Sequence, residues 1–535
     1  MAKKSFFKGA VILGVAGIIV KIFGAFFRIP LANIIGDTGM GYYQTAYPVY
    51  VLLLTLSTAG IPTAIARLVS ERTTEGNHRE AYRIFTVSFR LLLGLGIVTS
   101  LILFFGAPYI VQYIMKGETE AVYSMRSIAP ALLFVPIMAA FRGYFQGKQD
   151  MAPTASSQVV EQAFRVAFGL SAAVLLLPLG VQFAAAGASA GAAIGGLFGL
   201  LGIFIIFLRK RSGIKEECRN SAEGESESVR RILGRIVAIA VPVTIGAAIM
   251  PIMTNIDLFI VVRRLVESGY TSAEANSLYG QLSGFATPLI NLPQVLTQAI
   301  AMSLVPAVAA AFISGDREFL QYNTAFGIRT AMIIGMPCSV GLMVLSEPIM
   351  LLLYPAQKAS ASNAAESLFI LAFGAIFLSL VQTLTGILQG VKKQMVPVMN
   401  LCIGAVAKII ITYILTGIPS VNVKGAAAGT AVAYITAALL NYRAVRKYTG
   451  TRPDLALTFG KPVLSSVVMG AVVLAVYHGV SMFAGNTVST MISVFCGVII
   501  YAFCILRLKG ITPEEIRMLP KGEKIVKIFR LDRKK

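Results

Sequence analysis

The chain has little charge for its length and no tryptophan. Only 13% of its 535 residues are Asp, Glu, Lys or Arg, whereas water-soluble proteins carry roughly a quarter. Hydrophobic residues make up 56% of the chain, and the mean hydropathy is +0.75. This composition excludes a water-soluble protein and indicates an integral membrane protein. Because tryptophan is absent, an aromatic belt at the membrane surface must be built from the 19 tyrosines.

Residues that build metal centres, disulfides and catalytic sets are also sparse. The two histidines lie far from any nucleophile-and-acid set, and no Walker motif for ATP is present. The five cysteines are dispersed, without metal-ligand spacing or a disulfide framework. The sequence therefore predicts no enzyme and no cofactor.

Long apolar runs occur from one end of the chain to the other. Each holds about 20 residues, enough to cross roughly 30 Å of hydrocarbon at about 1.5 Å per residue. The first follows a basic head but has no signal-peptide cleavage site, so it is predicted to be a transmembrane helix. We count fourteen spans, at residues 9–35, 44–66, 84–107, 127–146, 154–177, 183–208, 236–257, 278–312, 323–346, 365–390, 396–418, 422–442, 461–483 and 487–506.

Basic residues alternate between the loops. When basic residues near the ends of spans are assigned to the adjoining loops, 36 of the 47 Lys and Arg belong to the loops and termini of one side, six to the other side and five to the spans. The positive-inside rule makes the basic side cytoplasmic, together with both termini. The rule accounts for the net charge of +22, so no nucleic-acid partner is expected. The basic tail is expected to lie against anionic lipid headgroups.

The two halves of the chain carry matching residues in the same order. Residues 143–165 (GYFQGKQDMAPTASSQVVEQAFR) echo 386–408 (GILQGVKKQMVPVMNLCIGAVAK), so that Arg165 matches Lys408. Further matches run along the chain at offsets of 238 to 245 residues. Each half holds six spans, an even number, so both copies enter the membrane from the same side.

These features predict an all-α polytopic membrane protein with fourteen transmembrane helices. Two parallel six-helix lobes are expected to be related by a pseudo-twofold axis along the membrane normal, with a substrate site between them near the midplane. The predicted parts are an N-terminal lobe at 1–208, a cytoplasmic linker at 209–235, a C-terminal lobe at 236–447, an accessory helix pair at 448–508 and a basic tail at 509–535.

Seven charged residues of the spans are the candidate substrate-binding residues. A cation at mid-bilayer costs at least about 2.5 to 3.5 kcal/mol, so it normally faces a cavity or a partner. The seven are Arg28, Lys21, Lys408, Arg165, Glu161, Asp257 and Arg90. Counted from the cytoplasmic ends of their spans, Lys21, Arg165 and Lys408 share one depth of roughly 16 to 20 Å. Arg28 lies two turns beyond Lys21 on the same helix face.

Two interpretations are open for Glu161 and Arg165, which lie four residues apart on one helix face. They can form a local ion pair that lets both enter the membrane, or they can face a binding cavity. No acidic residue lies three or four positions from Lys21, Arg28 or Lys408. A functional role is favoured for these three cations.

Arg90 and Asp257 lie nearer the ends of their spans. Arg90 is seven residues past Arg83 and is expected to snorkel to the cytoplasmic headgroups. Asp257 stands at the outer end of the seventh span, and the balance of charge in the membrane is positive. A positive cavity suits an anionic substrate, and guanidinium groups match phosphate oxygens. A diphosphate is therefore the predicted substrate group.

Four segments carry a family resemblance: KGAVILGVAGIIVKIFGAFFRIPLANIIGDTGMGYYQTAYP, STAGIPTAIARLVSE, RGYFQGKQDMAPTASSQVVEQAFR and NLPQVLTQAIAMSLVPAVAAAF. Together they resemble the stage V sporulation protein B group of Gram-positive bacteria. This group belongs with the MurJ-like lipid II and oligosaccharide flippases of the multidrug/oligosaccharidyl-lipid/polysaccharide exporter superfamily. The resemblance covers essentially the whole chain.

The resemblance implies a flippase that moves an undecaprenyl-diphosphate-linked sugar precursor to the outer leaflet of the bacterial plasma membrane by alternating access. In such proteins cations of the first helix line the central cavity, and Lys21 and Arg28 stand in that region. Arg28 is the leading candidate for the phosphate contact. Arginines of Gram-negative members on the second and eighth helices are not matched, since Leu54 and Gln281 stand there. The accessory helices would form a groove for the lipid tail.

Two other functions were weighed against the flippase. A cation-coupled multidrug exporter of the same superfamily usually has twelve spans and an acidic cavity. A scaffold for cell-wall enzymes does not require buried cations.

The expected partners are the lipid-linked diphosphate sugar and membrane lipids, with cell-wall synthesis proteins as further candidates, and a monomer is expected. The sugar, and the choice of H⁺, Na⁺ or membrane potential as driving force, stay open.

Overall fold

The computed structural model describes residues 2–116, 118–221 and 227–511. Every regular element in these residues is a helix, and no strand occurs among them. The predicted all-α class is confirmed. The predicted basic tail lies outside the described residues from position 512 onward.

The helices form two compact units, one ending at Gly280 and the other beginning at Gln281. The helices of the first unit are α1 (Ala2–Thr58), α2 (Ile61–Thr74), α3 (His78–Tyr109), α4 (Ala121–Ile128), α5 (Ala131–Gly147), α6 (Ala152–Leu176), α7 (Val181–Arg219), α8 (Val229–Glu267) and α9 (Ser272–Gly280).

The second unit begins with a π-helical turn, Gln281–Ala286, which leads directly into its first long helix. Its helices are α10 (Thr287–Ser314), α11 (Arg317–Val344), α12 (Ser346–Leu353), α13 (Lys358–Gly390), α14 (Met395–Thr416), α15 (Lys424–Thr449), α16 (Lys461–Ser481) and α17 (Asn486–Arg507).

Twelve helices in the described part of the chain are long and apolar enough to cross a membrane. The protein is therefore a multi-pass membrane protein. The first candidate, Ile12–Thr74, is 63 residues long and covers two predicted spans. The predicted span 422–442 lies in α15, which is helical but is not among the twelve. Each of the fourteen predicted spans falls mainly on helix, while the number that crosses the membrane stays a prediction.

Helix α1 is broken at Gly36, whose φ of 67° and ψ of −171° are not helical. Almost only glycine adopts this combination, because a Cβ would clash with the backbone. The break separates the first predicted span, 9–35, from the second. The second span, 44–66, is interrupted in turn between Thr58 and Ile61, where α1 ends and α2 begins.

The predicted linker is largely helical in its described residues. Helix α7 continues to Arg219 and α8 begins at Val229, so both helices extend into positions 209–235. Helix α8 packs against α1 and α2 inside the first unit, although the repeat assigns it to the C-terminal lobe. The two compact units are defined by which helices pack together and do not follow the repeat in the sequence. The lobe boundaries therefore stay a prediction.

Ion pairs tie the segment before α8 to α2. Glu227 is buried and pairs with Arg72, and it lies 3.0 Å from Nη1 of Arg235. Nη2 of Arg235 also lies 2.5 Å from Oε2 of Glu71. Because the carboxylate of Glu227 is buried between two arginines, these pairs anchor the start of α8 to the first unit.

Helices α6 and α7 lie close together along their length. At Gly195 of α7 an added Cβ would lie 2.5 Å from the carbonyl oxygen of Glu161 and 2.8 Å from Cβ of Arg165. Only a residue without a side chain allows this approach. The charged residues of α6 therefore sit against α7 on one side, and their side chains are directed to the other neighbours of α6.

Candidate functional site: an arginine and tyrosine cluster in the first unit

Arg165 of α6 lies among aromatic residues of α1. Its Nη2 donates a hydrogen bond to the hydroxyl of Tyr43 at 3.1 Å. The guanidinium carbon lies 5.0 Å from the ring centroid of Tyr47 and 6.0 Å from that of Phe27. Cation–π contacts within about 6 Å stabilise a cation by about 0.5 to 2 kcal/mol. The contacts hold the guanidinium in place and leave its positive charge without a compensating carboxylate.

The tyrosines come from one face of α1. Tyr43, Tyr47 and Tyr50 follow each other at intervals of four and three residues, which places them on one side of a helix. The rings of Tyr43 and Tyr47 are stacked with centroids 5.7 Å apart, and those of Tyr47 and Tyr50 are 5.9 Å apart. The sequence segment GYYQTAYPVY contains this spacing, but sequence reasoning did not single it out.

The break at Gly36 brings the two parts of α1 together. The rings of Phe27 and Tyr43 lie 6.0 Å apart, whereas residues sixteen positions apart on a straight helix are separated by about 24 Å. The chain therefore folds back at Gly36. This fold-back places Phe27 and Tyr43 around the same arginine.

Helix α9 docks on the chain just after the break. The amide Nδ2 of Asn276 donates a hydrogen bond to the carbonyl oxygen of Thr38 at 2.9 Å. The hydroxyl of Ser277 donates to Oδ2 of Asp37 at 2.7 Å.

At the start of α9, the backbone N–H and hydroxyl of Thr271 donate to Oε2 of Glu274, each at 2.8 Å. These hydrogen bonds lower the pKa of the Glu274 carboxyl below its usual value.

Glu161 pairs with Arg142 of α5, and the local ion pair with Arg165 is not formed. Nη2 of Arg142 lies 2.9 Å from Oε2 of Glu161, and its Nε donates to Oγ of Ser157 at 2.9 Å. The side chains of Arg142 and Glu161 are 14% and 23% exposed. Sequence reasoning counted Arg142 with the basic residues of the cytoplasmic side and did not select it as a site residue; it lies within α5 and within the predicted span 127–146. Its position at the start of the RGYFQGKQ motif is the feature of the sequence that could have identified it as a site residue.

Arg28 belongs to the same cluster. It follows Phe27 in α1, is partly exposed, and lies close enough to Tyr47 for an electrostatic interaction. The structure thus brings Arg28, Arg165 and Glu161, three of the seven predicted site residues, to one group of tyrosines in the first unit.

The other predicted site residues lie elsewhere. Lys21 is exposed on α1, seven residues before Arg28, and Arg90 is exposed on α3. Asp257 is partly buried on α8, and Lys408 is partly exposed on α14 of the second unit. Among the described residues, no group of His, Cys, Asp and Glu that could hold a metal ion is present. We call Arg28, Arg165 and Glu161, together with Phe27, Tyr43, Tyr47 and Tyr50, the first-unit cluster. It is a cationic and aromatic site whose chemistry is suited to binding an anion.

Two relatives match the chain over most of its length. Stage V sporulation protein B of Bacillus subtilis (strain 168) is 28% identical over 524 residues, which cover 97% of this chain and 98% of the relative. Lipid II flippase MurJ of the same organism is 28% identical over 453 residues and 83% of each chain. The resemblance inferred from the four segments is confirmed.

Solved structures share the fold. The lipid II flippase MurJ in an inward closed conformation matches with a TM-score of 0.67 and 18% identity, over 92% of this chain and 98% of that chain. An inward-facing multidrug resistance MATE family transporter of the MOP superfamily matches with a TM-score of 0.68 and 15% identity, over 83% and 98%. At this identity the likeness establishes the fold alone.

Two family models match along the chain. The MatE model matches residues 283–414, within the second unit. The model described as polysaccharide biosynthesis protein matches residues 6–312, more than half of the chain. The protein therefore belongs to the polysaccharide biosynthesis protein family.

Proposed function

We propose that the protein is a flippase that moves an undecaprenyl-diphosphate-linked cell-envelope precursor from the inner to the outer leaflet of the bacterial plasma membrane by alternating access. The observation that carries the proposal is the cluster around Tyr47, where the guanidinium of Arg165 contacts the ring and Arg28 lies close enough for an electrostatic interaction with the same tyrosine. The nearby acid, Glu161, is committed to Arg142. The name of one Bacillus relative, lipid II flippase MurJ, supports a lipid-linked substrate.

The chemistry of the cluster fits a diphosphate. A guanidinium group presents several N–H donors in one plane and matches phosphate oxygens in a forked geometry. The two arginines supply one positive charge for each phosphoryl group of a diphosphate diester. The hydroxyl of Tyr43 accepts a hydrogen bond from Arg165, so its own proton is available to a phosphate oxygen. Lys21 and Lys408 are assigned lesser roles along the path of the headgroup.

The decisive experiment is flipping in vesicles that contain the purified protein. A lipid diphosphate sugar with a fluorescent label is placed in both leaflets, and its access to a membrane-impermeant quencher is followed with and without gradients of H⁺, Na⁺ or potential. The proposal predicts diphosphate-dependent flipping by the wild type, and the gradient that accelerates it identifies the driving force.

Arg165→Gln is expected to slow this flipping by about tenfold or more, since it removes the guanidinium that would bind the phosphate. Arg90→Gln is the matched control, because Arg90 is an intramembrane arginine by sequence but is exposed on α3. It is expected to change the rate by less than about twofold. Equal rates for the wild type and Arg165→Gln would contradict the proposed role of the cluster.

The second candidate is a cation-coupled multidrug exporter. The MatE match at residues 283–414 favours it. The positive charge of the first-unit cluster argues against it, because a cationic drug would be repelled there. Accumulation of a cationic dye by the same vesicles, without flipping of the diphosphate lipid, would establish the exporter instead.

A further inference from the structure

The first-unit cluster contains a charge arrangement that the proposed function does not explain. Glu161 and Arg165 lie one turn apart on the same face of α6, a spacing at which opposite charges normally pair. The carboxylate of Glu161 instead contacts Arg142 of α5 at 2.9 Å. The guanidinium of Arg165 contacts a tyrosine hydroxyl and aromatic rings.

Arg142 is fixed by two contacts on α6. Its Nε donates to the hydroxyl of Ser157 and its Nη2 to the carboxylate of Glu161, and these two partners are one helical turn apart. The side chain of Arg142 is only 14% exposed. A charge-assisted pair with this little solvent is screened weakly, so removal of one partner leaves the other charge uncompensated.

We infer that Arg142 is a positioning residue that keeps Arg165 available to the phosphate group of the substrate. Arg142 does so by binding Glu161, which would otherwise neutralise Arg165 from the preceding turn. The inference rests on the proposed function, because it assumes that an anionic group binds at Arg165.

Charge counting shows what the contact achieves. With Arg142 in place, Glu161 is neutralised and the positive charges of Arg165 and Arg28 are both uncompensated by a carboxylate of the cluster. Without Arg142, the carboxylate of Glu161 cancels one of these charges and repels the incoming phosphate. The site then retains a single net positive charge against a diphosphate that carries a charge on each phosphoryl group.

The test is the affinity of the purified full chain, in nanodiscs, for a short-chain polyprenyl diphosphate sugar, compared with the uncharged polyprenol. Arg142→Gln is expected to weaken binding of the diphosphate by about tenfold, the size of one lost charge contact. The double variant Arg142→Gln/Glu161→Gln is expected to bind within about threefold of the wild type, because the interfering carboxylate is gone. Arg142→Lys keeps the positive charge beside Glu161, so it is also expected to bind the diphosphate within about threefold of the wild type.

Measuring Arg142→Gln in a second variant protein distinguishes the proposed role of Arg142 from a merely structural one. If Arg142 acts by neutralising Glu161, then Arg142→Gln changes the affinity of the Glu161→Gln protein by less than about twofold. A structural role would weaken binding again in that background, and it would overturn the inference. Thermal unfolding of each variant confirms that folded protein is being compared.

The outcomes also separate the inference from the function on which it rests. A wild type that binds the diphosphate lipid no better than the polyprenol overturns the proposed function. A wild type that prefers the diphosphate, together with an equal preference in Arg142→Gln, leaves the function standing and overturns the inference alone.

Discussion

Arg165 keeps its full charge because its partners are rings and hydroxyls rather than carboxylates. The rings of Tyr47 and Phe27 present their electron-rich faces, which stabilise a cation without cancelling it, and Tyr43 accepts a hydrogen bond at its hydroxyl. A buried arginine bound to a carboxylate would have little attraction left for a substrate. At the scale of single residues, the choice of aromatic partners turns a costly intramembrane cation into a usable binding group.

Arg28→Ala is expected to reduce precursor transport to below about one-tenth of the wild-type rate, because Arg28 supplies the second charge of the cluster. Lys21→Ala and Lys408→Ala are expected to be less severe, since Lys21 is exposed on α1 and Lys408 belongs to the second unit. The measurement is accumulation of lipid-linked precursor in the inner leaflet of cells depleted of the wild-type protein, with insertion checked by immunoblot of the membranes. Normal outward display of precursor in the Arg28→Ala strain would remove Arg28 from the site.

At the scale of helices, the fold-back of α1 builds the cluster. Gly36 permits the reversal, and α9 holds the chain after it through Asn276 and Ser277. Phe27 before the break and Tyr43 after it then reach the same guanidinium. The site therefore depends on a backbone conformation that lies outside the cluster itself.

Gly36→Ala is expected to destabilise the protein by about 1 to 3 kcal/mol, because the conformation at this position is almost exclusive to glycine. The measurement is the midpoint of thermal unfolding of the purified protein. Gly94→Ala is the matched control, since Gly94 lies within α3 and an added Cβ meets nothing within 4 Å. That variant is expected to be as stable as the wild type or slightly more stable. An unchanged midpoint in Gly36→Ala would show that the break is not required.

At the scale of the whole molecule, the distribution of basic residues predicts which ends of the helices face the cytoplasm. Helix α13 runs from Lys358 to Gly390 and is one of the twelve candidate spans. Its two ends are flanked by exposed lysines, Lys358 on the sparsely basic side and Lys392 on the strongly basic side. A span that crosses the membrane once must place these two residues on opposite faces.

Single cysteines at these positions test the topology. In a background without the five native cysteines, Lys358→Cys is expected to react with a membrane-impermeant maleimide in intact cells. Lys392→Cys is expected to react only after the membrane is permeabilised, because the positive-inside rule places it in the cytoplasm. The same labelling at both positions in intact cells would contradict the predicted orientation.

The class of the protein and the positions of its helices follow from the amino-acid sequence alone. These properties are local, because a run of apolar residues must become helical in a membrane, where every backbone N–H and C=O group needs a partner within the segment. The predicted spans accordingly fall mainly on helix in the described residues. The family resemblance also depended on sequence alone.

Only the tertiary structure decided which charges pair and which residues meet. Glu161 is four residues from Arg165, yet it binds Arg142, which lies nineteen positions away on another helix. The rings of Phe27 and Tyr43 meet because the chain reverses at Gly36, a conformation that no apolar pattern encodes. Pairing of charges depends on which helices pack together and at what distance, and this is set by contacts between residues distant in the chain.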